Sequence, residues 1–119
     1  MIVIAGAAVF EDPPDRDACI AAGIPHVQAT RDEEPGCLEY VFAADSADPR
    51  RIVIYELWED AATLDAHFLH ANYFNMREVF NPYREAGSYT IRAMKYRIDA
   101  VDQVYGEDRV ASSRFWSVE

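Results

Sequence analysis

The run Ile52-Val53-Ile54-Tyr55-Glu56-Leu57-Trp58 constrains the fold more than any other part of the chain. It is β-branched and aromatic, the composition of a strand. Strand parity sets Ile52, Ile54, Glu56 and Trp58 on one face and Val53, Tyr55 and Leu57 on the other. Both faces are apolar enough to require cover. Glu56 is the exception, and a carboxylate on a buried face must be paired or hydrogen-bonded. Asp60 then caps a helix in which Leu64, His67, Phe68, Ala71 and Phe74 recur at helical spacing.

The other elements assemble around this unit. Ile2 to Phe10 is a nearly unbroken apolar run that predicts a strand buried on both faces, ended by Glu11-Asp12-Pro13-Pro14. Asp15 is expected to cap a helix reaching about Arg31, kinked or split at Gly23-Ile24-Pro25. Glu34-Pro35-Gly36 is a turn. From Cys37 to Ala44, Leu38, Tyr40 and Phe42 should share one face. The polar loop from Asp45 to Arg50 leads into the Arg51–Trp58 strand, so these two strands should pair antiparallel. After the His67 helix, with a bend expected at Asn72, the stripe Met76, Val79, Phe80 and Tyr83 continues until Pro82 and Gly87. A fourth strand covers about Ser88 to Ile98.

The order β-α-β-β-α-β predicts an α+β, ferredoxin-like antiparallel sheet with helices on one face. The uncovered face is apolar, and a second copy of the chain is the simplest cover. A homodimer forming a dimeric α+β barrel is therefore expected. Residues 1–98 make the domain. Residues 99–119 are a C-terminal extension expected to dock on the same domain or its partner; Val101, Val104 and Tyr105 could lengthen a sheet edge, and Arg114-Phe115-Trp116 could dock.

With 119 residues the chain has room for one core. Its formal net charge of -10 disfavours nucleic acid and acidic membrane surfaces as partners. No apolar run approaches the roughly 20 residues that span a bilayer, and Met1-Ile2-Val3-Ile4 lacks a basic leader segment. A cytoplasmic protein with Cys19 and Cys37 as reduced thiols is expected.

Three segments carry a resemblance. Glu34-Pro35-Gly36-Cys37-Leu38-Glu39-Tyr40, then Tyr55-Glu56-Leu57-Trp58-Glu59-Asp60, then Leu64-Asp65-Ala66-His67-Phe68 are similar, in order and spacing, to the antibiotic biosynthesis monooxygenase family. The resemblance covers about residues 1 to 98; the Gly23-Ile24-Pro25 break and the tail depart from the family's pattern. It implies a dimeric α+β barrel and oxygenation of an electron-rich aromatic or quinol by O2, with no metal, flavin or haem as cofactor. Related barrel proteins degrade haem, but their axial histidine would fall near Arg77 here, and their first-strand asparagine meets Ala7 or Ala8.

Within that frame His67 and Glu56 are the candidate catalytic residues. An imidazole with an ordinary pKa of about 6.5 suits a base at neutral pH, although the same position serves a histidine that merely ties helix to sheet. Glu56 is expected to pair with His67, Arg92 or Arg97; a Glu-His pair would raise the imidazole pKa. Trp58, Tyr55, Tyr40, Asn72 and Arg92, with Tyr73, are candidates for contact with substrate. Each has a structural alternative, as a core aromatic or a polar cap. His67, His70 and Asp65 lie close in sequence, but His26 is remote and no metal motif emerges. Two other functions fit the same pocket: a non-catalytic dimer that binds a small aromatic ligand, and an isomerase or cyclase.

Overall fold

In the computed structural model, residues 1–117 are described. Seven elements follow in chain order: β1 (Ile2–Phe10), α1 (Pro13–Glu33), β2 (Cys37–Ala44), β3 (Arg51–Trp58), α2 (Ala61–Phe68), α3 (Ala71–Ala86) and β4 (Tyr89–Arg97). The strands form one sheet in the order β2-β3-β1-β4, and every neighbouring pair is antiparallel. This is the expected ferredoxin-like α+β plan, with the second helix divided in two.

The alternation in β3 is as its sequence dictates. Ile52, Ile54, Glu56 and Trp58 are all buried, whereas Tyr55 on the other face is 38% exposed. Ile4 sits between Glu56 of β3 and Lys95 of β4, so these three residues form one row across the helix-covered face. Ile4, Ala8, Phe10, Tyr40, Ile52, Ile54 and Trp58 of the sheet join Leu64, Met76 and Phe80 of the helices in the core. The opposite face carries Val3, Ala5, Ala7 and Val9 of β1 beside Val53, Tyr55 and Leu57 of β3, with Met94 and Tyr96 of β4 more than 40% exposed.

Several local expectations need correction. Helix α1 is a single 21-residue helix that passes through Pro25, and it starts at Pro13 with Asp12, not Asp15, at its N-cap. Proline at the first helical position loses only a donor that had no partner. Pro25 and Ala21 are both exposed, so the carbonyl left without its helical donor meets water and the helix continues. Gly23 is a packing contact: it is buried, and a Cβ there would lie 3.4 Å from the Met76 side chain of α3. In β2, a bulge between Cys37 and Glu39 turns Leu38 out, leaving it 50% exposed, and puts Cys37 on the core side with Tyr40 and Phe42.

Two more corrections concern α2 and α3. The break falls at Leu69–His70, ahead of Asn72, because the His70 Nδ1 accepts the Asn72 backbone N–H at 3.0 Å and caps α3. Pro82 lies inside α3, which ends at Gly87 with φ 67°. Beyond β4 the described residues do not extend a sheet edge. Ser112 N–H bonds the Val104 carbonyl, Gly106 N–H bonds the Val110 carbonyl, and Ser117 N–H bonds Asp102, closing a small turn of its own. Val101, Val104, Tyr105 and Val110 stay at least 57% exposed, and the radius of gyration is 16.4 Å, against about 13.5 Å for a compact chain of this length. Val118 and Glu119, the end of the expected extension, lie outside the described residues. Among the described residues, no helix is long and apolar enough to cross a membrane.

Gly36 locks the turn that precedes β2. Its φ is 81°, a Cβ there would collide with the Thr63 side chain, and its carbonyl accepts the Glu59 N–H at 2.8 Å. Gly36→Ala is expected to lower stability by about 2 kcal/mol, from left-handed backbone strain and overpacking. Urea unfolding checks this; an unchanged midpoint would contradict it.

Candidate active site

The site grows from the junction of β3 and α2. Trp58 ends β3, and two residues later Asp60 starts α2: its Oδ1 accepts the Thr63 N–H at 2.8 Å, while the Thr63 Oγ accepts the Asp60 N–H at 3.3 Å. This abrupt start carries His67, near the end of the short helix, back over the end of the strand. The imidazole lies 4.6 Å from the Trp58 ring, centroid to centroid, and 5.4 Å from both Tyr40 and Tyr73.

His67 is 1% exposed and its Nδ1 lies 2.8 Å from Glu34 Oε1. Glu34 is itself buried at the C-cap of α1. Its other oxygen accepts from Asn72 Nδ2 at 3.3 Å, and the same Asn72 amide donates to Glu33 at 3.1 Å. Burial holds the imidazole below its ordinary pKa, against the opposing pull of the Glu34 hydrogen bond and charge. The neutral ring then donates from Nδ1 to Glu34, and its Nε2 is an acceptor. Among the described residues Nε2 has no hydrogen-bond partner, and none has a sealed-off, unpartnered side-chain nitrogen or oxygen. Nε2 therefore opens to the cleft that His67 lines.

That cleft has a volume of about 820 Å³ and runs between α3 and the β1–β4 side of the sheet. Tyr40, Glu56 and His67 lie in its wall together with Phe42, Tyr73 and Phe80. Glu56 accepts a hydrogen bond from the Trp58 indole, Nε1 to Oε1, at 3.0 Å. Burial pushes its carboxyl up to about 7; the indole bond pulls it down and the Glu34 charge adds to the rise. At neutral pH this group can both take and give a proton. Trp58 thus joins the two candidates, bonding one and packing its ring against the other. Burial also keeps the Tyr40 hydroxyl protonated.

The structure places the sequence candidates in three groups. Tyr40, Glu56 and His67 share the cleft. Trp58 and Asn72 lie behind it, Trp58 wholly buried against His67 and Asn72 bonded to Glu34. Tyr55 and Arg92 are on the opposite face of the sheet, in register with Ala5 and Ala7 of β1. The expected partners of Glu56 are corrected too: it is bonded by Trp58, while His67 pairs with Glu34 and Arg92 faces away. The imidazole pKa falls where a carboxylate pair was expected to raise it, because burial outweighs the upward pull of Glu34. Sequence reasoning missed Glu34, whose one signal was its place in the Glu34-Pro35-Gly36-Cys37 turn, and the cleft residues Arg77, Arg84 and Lys95. His70 is spent on its helix cap, and among the described residues no three His, Cys, Asp or Glu side chains converge as metal ligands.

Comparison with known proteins agrees with this fold. The profile of the antibiotic biosynthesis monooxygenase family matches residues 3–78. A crystal structure of a Deinococcus radiodurans protein named for that family superposes with a TM-score of 0.70 at 18% identity, covering 87% of this chain and 99% of that one. SnoaB, a cofactor-independent oxygenase from Streptomyces nogalater, superposes with a TM-score of 0.60 at 8% identity, covering 84% of this chain and 94% of its own. An uncharacterized Synechocystis protein, sll1783, is 33% identical over 67 residues, 56% of this chain. The chain spans only 44% of the length of that curated relative.

The raised carboxyl makes a stability prediction with a defined sign. The folded state holds the Glu56 proton more tightly than the unfolded state, so wild-type stability carries a favourable contribution below about 4.5 that is lost as pH rises to about 7. Glu56→Gln, a neutral isostere that keeps an acceptor for Trp58, removes this dependence. Its stability relative to wild type should climb by on the order of 3 kcal/mol across that window and level off above it. Chemical denaturation at a series of pH values reads this directly; a difference independent of pH would contradict it.

Proposed function

The chain belongs to the antibiotic biosynthesis monooxygenase family, and on that premise we propose that its cleft binds an electron-rich polycyclic phenol, anthrone or quinol, which the protein oxidises with O2 without a bound cofactor. The observation that carries this reading is the meeting of Glu56 and the free Nε2 of His67 in one aromatic-lined cleft. A substrate of this class supplies its own electrons once deprotonated. The protein then contributes a base, an orienting hydrogen bond and a dry cavity.

For an anthrone, Glu56 takes a proton from the ring CH2 and His67 Nε2 accepts a hydrogen bond from the neighbouring phenol. The resulting anion passes one electron to O2, and the two radicals combine to form a C–O bond. Protonation gives a hydroperoxide. Loss of the second carbon-bound proton then breaks the O–O bond, leaving a carbonyl and releasing water. The CH2 becomes C=O with loss of four electrons, O2 gains four, and no external reductant is needed.

Two copies are proposed to close over each other's open sheet faces, burying Val3, Val9, Val53, Tyr55 and Leu57. Light scattering should then give about twice the 13.5 kDa chain mass, with Tyr55→Glu shifting the protein to the monomer. A monomeric wild type would contradict this.

Oxygen uptake with an anthrone or naphthohydroquinone should exceed the protein-free rate. His67→Ala, checked for folding by circular dichroism, should lower it about 100-fold. With Glu56 as base, kcat/KM should rise with pH through about 7 and level off above, and Glu56→Gln should lose that inflection. Binding without uptake would point to a non-catalytic aromatic-binding protein, and product formed without oxygen to an isomerase or cyclase; either result would overturn the oxygenase reading.

A further inference from the structure

The charge of the cleft runs against the charge of the chain. The sequence has 21 Asp and Glu against 11 Lys and Arg, yet the cleft is lined by three cations, Arg77, Arg84 and Lys95, and by one carboxyl, Glu56. The arrangement follows from helix and strand periodicity. On α3, Met76 and Phe80 form the apolar wall, and Arg77 and Arg84, two turns apart on one face, form its rim. Glu78 and Glu85 follow each of them by one residue, about 100° around the helix, and do not line the cleft. On β4, Lys95 stands in the same row as Ile4 and Glu56. Two strand spacings, about 10 Å, separate it from Glu56.

None of the three cations forms an ion pair with an acid among the described residues. Arg77 is instead held over the Tyr73 ring, its Cζ 5.9 Å from the centroid. Arg84 also suits the last turn of its helix, and Lys95 an edge strand, but neither role brings them to one cleft with Arg77. The acidic surface beyond is screened over about 8 Å at physiological salt, whereas a ligand in the cleft meets these cations directly.

We infer that the substrate is an aromatic acid, its reacting ring beside Glu56 and His67 and its carboxylate held at the rim by Arg77, Arg84 and Lys95. This rests on the reading of the cleft as the substrate site, and deepens it: a neutral polycycle leaves the three cations unused, whereas a carboxylate about one bicyclic ring system away from Glu56 engages them. Charge-assisted bonds of this kind are stronger than neutral ones, so removing the negative charge should cost affinity without altering ring contacts.

The test uses 1,4-dihydroxynaphthalene-6-carboxylate, whose acid group is on the ring remote from the hydroxyls, and its methyl ester, titrated calorimetrically into the full chain without oxygen so that turnover plays no part. The acid should bind about tenfold tighter than the ester, with the margin shrinking in high salt. In an Arg84→Gln, Lys95→Gln double variant, confirmed folded by its thermal melt, the two Kd values should converge. Equal Kd values in wild type, or a preference that survives in the double variant, would overturn the inference while leaving the cleft as an aromatic site. Binding of neither compound would overturn the inference together with the reading on which it rests.

Discussion

The buried pair of His67 and Glu34 is the contact on which the site depends. At 2.8 Å, with both side chains almost fully enclosed, it ties the end of α1 to α2. With the imidazole neutral, the contact is a hydrogen bond to a buried carboxylate, and breaking it by removing one partner is costly because the other is left buried and unpaired. Its value here is orientation. Glu34 fixes which imidazole nitrogen carries the proton, Asn72 fixes Glu34, and the remaining nitrogen is left for the cleft. Trp58 extends the same logic to Glu56 through its indole hydrogen bond.

Much of this was legible in the sequence, and the division follows the range of the interactions. Alternation along Ile52 to Trp58 is a local property, so the burial of Glu56 and Trp58 on one face could be read from parity. The capping role of Asp60 was equally local. The partner of His67 was not: Glu34 lies 33 residues away and meets it only when α1 packs on β2 and α3. Sequence proximity favoured Glu56, and tertiary packing chose Glu34. The bulge at Leu38 and the uninterrupted path of α1 through Pro25 were hidden for a related reason. Each depends on what lies beside the backbone, sheet partner or water, and not on the residue's own preference.

The cleft unites two environments that a reacting aromatic anion requires. Its inner end is enclosed by rings and holds a carboxyl lifted by burial, where a proton can be exchanged at neutral pH. Its rim is cationic, on a chain that is otherwise acidic. The same desolvation that lifts the Glu56 carboxyl to about 7 also makes it a cost to folding above neutrality, so the site is built at some expense of stability. Family membership accounts for the fold and motivates the proposed chemistry. The distribution of charge is what this chain adds, and it bears on which member of the substrate class fits.

The most direct measurement is isotope tracing with 18O2 and an anthrone substrate in unlabelled water. The account predicts one 18O atom in the new carbonyl and the other in water, with labelled product forming about 100-fold more slowly in His67→Ala. A carbonyl oxygen drawn from unlabelled water, or labelled product forming no faster than without protein, would contradict oxygenation at this cleft.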